Sequence, residues 1–473
     1  MPHFSMETAK KAPGSDEWWA LRLAKGIQDR RKRVEELQSW LNGTPPAPWE
    51  MKKESDRAAY ERLVKIASLN LAELIVSSTL YRVQVETVRT NQDGDPEDDS
   101  VVNDLLLSSD AASQFRQAIE WMLALSVSYL LVRPVDVDGG MEGRITAEHP
   151  LEVNAAADPQ DPSKNVAAIK LYRDDALDRD VLVIYRPDYT RTAYKYGRSV
   201  IMRNATPNLG DFVWDGDAGA DDVPGYEKNT VTGVPIFTLS NRFGVGEFEK
   251  HIPHMQRINH TILQQMILIA LQSFKQRAVS GVPNADPNTG EPIDYDSIFT
   301  SDPGSLWIMP AAAKVWESGQ ADINPIITSV SKDVERLAIA AQAPLYALSS
   351  DAAQQAAASA ELMREGQIFK AEDLQKRLTP RFAAAVSHML KVSGDEERAD
   401  RSQMRIVWAP TRRSSLMERA QAGQLATAAG LPLQTVAEKF YEMSPAEIQQ
   451  MLSYRTDDAL SNLLNAQNLG ATS

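Results

Sequence analysis

Apolar residues recur along this chain at two periods, and the changes between them divide it. Over 16–41, Trp18, Leu21, Leu23, Ile27, Val34, Leu37 and Leu41 alternate with charge at helical spacing, and NGTPPAP (42–48) ends the run. A second helix is predicted over 54–80, with Leu63, Ile66, Leu69, Leu74 and Ile75 on its apolar side, and a third over 101–124. NQDGDPEDDS (91–100) reads as an acidic loop between them. The period then shortens. YLLVRPVDV, RITAEHPLEVNA, VAAIKLYRD, DVLVIYRPD and TAYKYG are short β-type runs separated by turn residues. GDFVWDGDAGADDVPGYEKN (210–229) reads as a second acidic loop, and TGVPIFTLSNR (232–242) closes the mixed region.

Helical spacing returns over 247–279, where Ile258, Ile262, Met266 and Ile269 repeat with Leu263, Leu271 and Phe274 nearby. Segment 281–316 is rich in Pro and Gly, with a turn expected at Asn288-Thr289-Gly290 and short strands at SLWIM and KVWES. Between 282 and 304 it holds Asp286, Glu291, Asp294, Asp296 and Asp302 and no Lys or Arg. A helix over 325–343 carries Ile326, Val330, Val334, Leu337 and Ala341 on one stripe and Ser329, Lys332, Asp333 and Arg336 on the opposite one. APLYALSSDAAQQAAASAELM (343–363) follows, a tract of small residues with little to pack. Then Leu374, Leu378, Phe382, Val386 and Leu390 step by four along another long helix, which Pro380 should kink. MRIVWAP (404–410) reads as a strand and 411–469 as helical. There is no internal repeat of solenoid type. The class is α+β, mainly helical.

With 473 residues, 43% of them hydrophobic, the chain has material for two or three cores. The absence of cysteine excludes disulfides and thiolate sites and suits a reducing compartment. The opening MPHFSMETAKKAPGSDEWW has no apolar core of signal-peptide type, and the most apolar run, ILQQMILIAL (262–271), is too short for a bilayer. A soluble chain assembled in the cytosol, with no membrane partner, is expected. A net charge of −14 argues against a tight grip on nucleic-acid phosphates. The one dense basic cluster, RLAKGIQDRRKR (22–33), reads as the solvated face of a helix.

Motifs of known chemistry are lacking. There is no G-x-x-x-x-G-K-[ST], G-x-G-x-x-G, H-E-x-x-H or G-x-S-x-G, and GVGEFEK (244–250) lacks what a phosphate loop needs. In HIPHMQRINH, His251 and His254 share a helical face while His260 points nearly opposite, and Pro253 suggests that the helix only begins there. A three-histidine metal site is therefore awkward, and no metal or other cofactor is expected. Segment 423–452 has the outline of a helix-turn-helix, but LQTVAEKFYEM has one Lys and two Glu, so a packing hairpin is the better reading.

The order of these elements, with LQSWLNG, VPIFTLSNR, SLWIMPAAAKVW and AAQAPLYALSSDAAQQAAASAELM in sequence, resembles the portal proteins of tailed bacteriophages, in the branch common in phages of Gram-positive hosts. The resemblance covers nearly the whole chain, and the last two segments carry most of it. It implies a non-enzymatic virion protein, a homo-oligomeric ring, usually of twelve, at one capsid vertex. Such a ring is a conduit for double-stranded DNA during packaging and ejection. It implies as partners the terminase large subunit, a head-tail connector, and the major capsid and scaffold proteins. Residues 1–246 would be the wing, 247–281 the first stem helix, 282–318 the clip, 319–345 the second stem helix and 346–358 the tunnel loop. Residues 359–410 would be a long kinked wing helix and strand, and 411–473 the crown. Ser349, Ser350, Asp351, Gln354 and Gln355 would face DNA. Ser329, Lys332, Asp333 and Arg336 become candidates for the lumen, or pair with one another and Glu335. Asp286, Glu291, Asp294, Asp296, Trp307 and Trp316 become candidates for docking. The sequence leaves open another capsid-assembly or connector protein without a DNA channel, and an enzyme with a dispersed carboxylate site.

Overall fold

The computed structural model describes residues 3–47, 54–90, 100–201, 208–216, 225–273, 277–281, 283, 285, 289–294, 314–317, 322–343, 357–412, 416–441, 443 and 447–456. In chain order, α1 (Met6–Lys11) and α2 (Asp16–Leu41) precede α3 (Glu54–Ala67), α4 (Leu71–Leu80) and strand β1 (Val85–Arg89). Helices α5 (Ser100–Ser108) and α6 (Ala111–Leu125) follow. The strand-rich part then runs through β2 (Val127–Val137), β3 (Gly140–Glu148), β4 (Val153–Ala157), β5 (Asn165–Asp174), β6 (Arg179–Tyr185), β7 (Tyr189–Tyr196), β8 (Val213–Trp214), β9 (Tyr226–Lys228) and β10 (Ile236–Ser240). Helix α7 (Ile252–Ser273), β11 (Arg277–Ser280), β12 (Lys314–Glu317), α8 (Asn324–Ala341), α9 (Ala357–Val392), β13 (Arg405–Trp408), α10 (Leu416–Ala428) and α11 (Leu433–Lys439) complete the order. The class is mixed α+β, and among the described residues every strand pairing is antiparallel.

The chain forms two compact units. The larger takes in 1–42, 70–250 and 341–473, and the smaller 43–69 and 251–340. In the larger unit, β4-β5-β6-β7-β8 form a sheet, with β9 also on β7, and β10-β2-β3 form another. Alternating residues of the first sheet, Ala167, Ile169, Leu171, Leu182, Ile184 and Ala193, are buried against Ala20, Leu23, Ala24 and Ile27 of α2. This joins the two periods read in the sequence: a strand's period-2 face on a helix's 3.6-residue stripe. Ser15 starts α2 by accepting the Trp18 N–H, and the helix ends at Asn42, where NGTPPAP predicts it. Strand β1 pairs with β13, joining parts of the chain more than 300 residues apart. Helix α9 runs unbroken through Pro380. There Thr379 donates its hydroxyl to the Gln375 carbonyl at 2.7 Å and accepts the Trp408 indole N–H at 2.8 Å. The ring of Phe382 meets Phe115 and Trp408 edge-on at 4.5 and 5.5 Å.

Several expected elements differ. The helix expected over 54–80 is two helices. Residues 57–80 have the length and apolarity of a membrane span. The helix breaks at 68–70, where the Asn70 side chain accepts the Glu73 N–H at 3.3 Å and donates to the Leu41 carbonyl at 3.0 Å. An Asn with Glu three residues on is an N-cap signature that apolar spacing alone does not register. The helix over 101–124 is likewise split into α5 and α6 by Asp110, at φ 52°. The 210–229 loop contributes β8 and β9, both on β7. The helix expected over 247–279 starts after a single turn of 3-10 helix, Glu249–His251, and is described to Ser273. Beyond it, Arg277–Ser280 pairs with Lys314–Glu317. KVWE is thus a strand, as expected, with a partner that periodicity does not suggest. SLWIM lies outside the described residues.

Candidate functional site

The smaller unit carries the residues that the sequence marks as candidates. Its helices α7 and α8 are tied by a two-bond clamp. Arg257 Nε and Nη2 donate to Asp333 Oδ2 and Oδ1, each at 2.9 Å. The Asp333 side chain is only 11% exposed, and Arg336 Nη1 also lies 3.4 Å from its Oδ1. Lys332 pairs with Glu335 at 2.9 Å. The polar stripe read as Ser329, Lys332, Asp333 and Arg336 is therefore divided. Asp333 joins the two helices, while Ser329, Lys332 and Arg336 stay exposed and line a shallow concavity with Asp322, Asn324 and Thr328. Arg257 escapes periodicity because it lies on the polar side of α7, and only the fold shows which acid it faces.

The apolar stripes of this unit are partly uncovered. Val334, Leu337 and Ala338 of α8 and Met255, Ile258 and Leu263 of α7 are buried. Ile267, Ile269, Ile327 and Ile339 are exposed, as are Leu63, Ile66 and Leu69, the residues expected to form the covered side of the second helix. Helix α3 packs on α7, and its end is held by the Leu69 N–H donating to Asn259 Oδ1 at 3.0 Å.

The segment between β11 and β12 leaves and returns through one antiparallel pair, with Ser280 opposite Lys314 and Ala278 opposite Trp316. Thr289 is in a turn, Gly290 has φ 72°, and Ala285 bridges Pro292. Glu291 and Asp294 are exposed. Asp286, Asp296 and Trp307 lie outside the described residues, as do Ser349, Ser350, Asp351, Gln354 and Gln355. The histidines do not converge. His251 lies in the turn before α7 with its ring 6.4 Å from that of His254, while His260 bonds Gln264 at 2.9 Å. Among the described residues no group of three His, Asp or Glu is placed to hold a metal.

In the larger unit, the basic cluster of α2 is not a solvated face throughout. Arg30 donates to the Tyr129 hydroxyl at 2.9 Å and to the Val153 carbonyl, and Arg31 to the Ile201 carbonyl at 3.1 Å. Arg33 binds both oxygens of Glu249 at 2.6 Å, a hydrogen bond that raises the pKa of its guanidinium. Asp16 is buried, held by Arg191 Nη1 and the Tyr189 hydroxyl at 3.0 Å each. Several groups in this unit are shifted chiefly by burial, Glu152 upward among them with Glu148 adding to it. His149, edge-on to Trp121, and His388, edge-on to Phe237, are lowered to about 4, chiefly by desolvation. Burial pushes the Tyr185 hydroxyl up. Glu148 is buried but paired with Lys170 at 2.7 Å. A hollow of about 240 Å³ is lined by Arg133, Tyr185, Lys228 and His388, with Glu227 the one acid among its lining residues, so it holds no carboxylate pair. In the 423–452 segment, Gly423 lies against the Tyr441 ring and Glu438 pairs with Arg89 at 3.6 Å, the contacts of a packed hairpin.

No family model and no curated protein matches the chain. Among solved structures it is similar to a chain in the virion of a native gene transfer agent particle, at 14% identity over 89% of this chain and 93% of that one, with a TM-score of 0.43. A chain in the neck of the empty particle, computed with C6 symmetry, gives 14%, 85%, 91% and 0.46. One in the neck of the native particle, computed with C12 symmetry, gives 14%, 81%, 89% and 0.40.

Proposed function

We propose that this chain is a portal subunit of a tailed, phage-like particle. It assembles in a ring at one capsid vertex and passes double-stranded DNA through the centre. One observation supports the reading above others. Helices α7 and α8 are clamped together by Arg257 and Asp333, yet Ile267, Ile269, Ile327 and Ile339 stay exposed, with Leu63, Ile66 and Leu69 on α3. Apolar residues left open along a helical unit suit burial by neighbouring subunits of a ring.

On this reading α7 and α8 are the stem, the segment between β11 and β12 is the clip, 346–358 is the tunnel loop, and the C-terminal helices are the crown. Terminase and a head-tail connector dock at the clip, with Glu291 and Asp294 on its surface. Lys332 is paired with Glu335, and Arg336 shares Asp333 with Arg257. They touch passing phosphates without holding them, as sliding DNA requires. An acidic chain and a loop of Ala, Ser and Gln serve the same end.

Negative-stain imaging with mass measurement tests this. Rings with a central hole and a mass about twelve times 52.3 kDa are expected. A protein that stays monomeric at high concentration and with scaffold present would end the portal reading. Within such rings, deleting 347–357 should leave assembly intact and impair DNA packaging or retention.

A further inference from the structure

Between β10 and α7 the chain makes a tight turn, 241–244, closed by the Gly244 N–H donating to the Asn241 carbonyl at 3.1 Å. Phe243 is its third residue, at φ 59° and ψ 13°. That is the left-handed region, where Gly or Asn is the ordinary occupant and a bulky side chain strains the backbone.

The turn is held in a rigid frame. The Asn241 N–H donates to the Ser126 carbonyl at 2.9 Å, and its side-chain amide donates to the Val245 carbonyl at 2.9 Å and to Glu247 at 3.1 Å. Arg33 donates to the Gly244 carbonyl at 2.9 Å while gripping Glu249, which also accepts the Gly246 N–H at 2.8 Å. Lys370 holds Glu247 at 2.5 Å. Such a frame over-determines the backbone and fixes Phe243 where it would not settle by itself.

What the frame holds out is exposed. Phe243 is 74% accessible, with Arg242 and Lys250 over its ring at 4.9 and 5.0 Å. Neither cation forms an ion pair among the described residues. Folding of the subunit gains little from an aromatic ring in water on a strained backbone. Aromatic residues and Arg are enriched at the centres of protein interfaces.

We propose that Phe243, with Arg242 and Lys250, is a docking knob that enters an apolar hollow edged by carboxylates on a second copy of this chain. Charge selects the occupant. A chain of net charge −14 offers carboxylate-edged surface, and the knob is a local cationic spot on it. Two knobs repel, so the contact cannot be centred on itself across a two-fold axis. On the ring reading, the knob of one subunit enters a hollow of the next, a head-to-tail contact. The inference rests on the ring reading above.

The test uses the full chain. Phe243→Gly removes the ring and the backbone strain together. The expected result is an unchanged or higher Tm, with the concentration for half-assembly raised about tenfold or more. Arg242→Glu with Lys250→Glu should weaken assembly likewise. A photo-crosslinking amino acid at 243 should join chain to chain in assembled rings. Rings that assemble normally with Phe243→Gly, or carry no chain-to-chain crosslink from 243, overturn the knob and leave the ring reading standing. A crosslink to another protein alone also overturns it. A wild-type chain that never assembles overturns both readings.

Discussion

The two units spend their charged side chains differently. In the larger unit, arginines and acids reach inward. Arg30, Arg31 and Arg33 fasten α2 to distant carbonyls and to Glu249, and Asp16 is buried between Arg191 and Tyr189. In the smaller unit the ion pairs are mostly on the surface; both units expose apolar side chains, among them Ile66, Ile267 and Ile339 in the smaller and Leu107, Phe243 and Leu425 in the larger. In the first, the charged groups find their partners within one chain. The second is a surface whose apolar flanks are still open, and its stability should depend on what covers them.

The contrast can be broken in order of expected effect. Phe382→Ala, in the core of the larger unit beside Phe115 and Trp408, should cost about 3–5 kcal/mol in denaturant unfolding. Asp16→Ala removes the nearer of two carboxylates on the buried Arg191 guanidinium, leaving Glu17 at 3.8 Å, and should cost about 3 kcal/mol, partly regained by adding Arg191→Met. The buried histidines come next. His149 and His388 have folded values of about 4, below their ordinary 6.5, so the unfolded chain takes up protons first. Their contribution is fully present above pH 6.5 and is lost as pH falls toward 4. Between pH 7.5 and 5 this amounts to about 2 kcal/mol for each, and His388→Gln should flatten that part of the urea-midpoint profile. Asp333→Ala should cost only about 1 kcal/mol in the isolated subunit, because Arg257 is half exposed. If Asp333→Ala proves as costly as Asp16→Ala, the smaller unit is as self-contained as the larger and the comparison fails.

Much of the fold was legible in the sequence. The bounds of α2, the strand series, α8 and the long α9 follow from local periodicity, because one packed face imposes one spacing. Three things were not. The break at Asn70 is a capping event, written in two residues and not in a stripe. The Arg257–Asp333 clamp and the β1–β13 pair are long-range, and no local window contains both partners. The inward turn of Arg30, Arg31 and Arg33 was hidden because a charge run looks the same whether water or a carbonyl receives it. Among the candidate residues, the polar stripe of α8 was visible, but its division by Asp333 was not.

The antiparallel neck at Ser280 and Lys314 has an evolutionary consequence. A segment that departs and returns through adjacent strands of one ladder behaves as a cassette. Lengthening or exchanging 281–313 adds a small loop-closure entropy that grows only with the logarithm of length. Changes of length or sequence within this cassette therefore cost the flanking strands and helices little, while those helices stay under the constraint of packing.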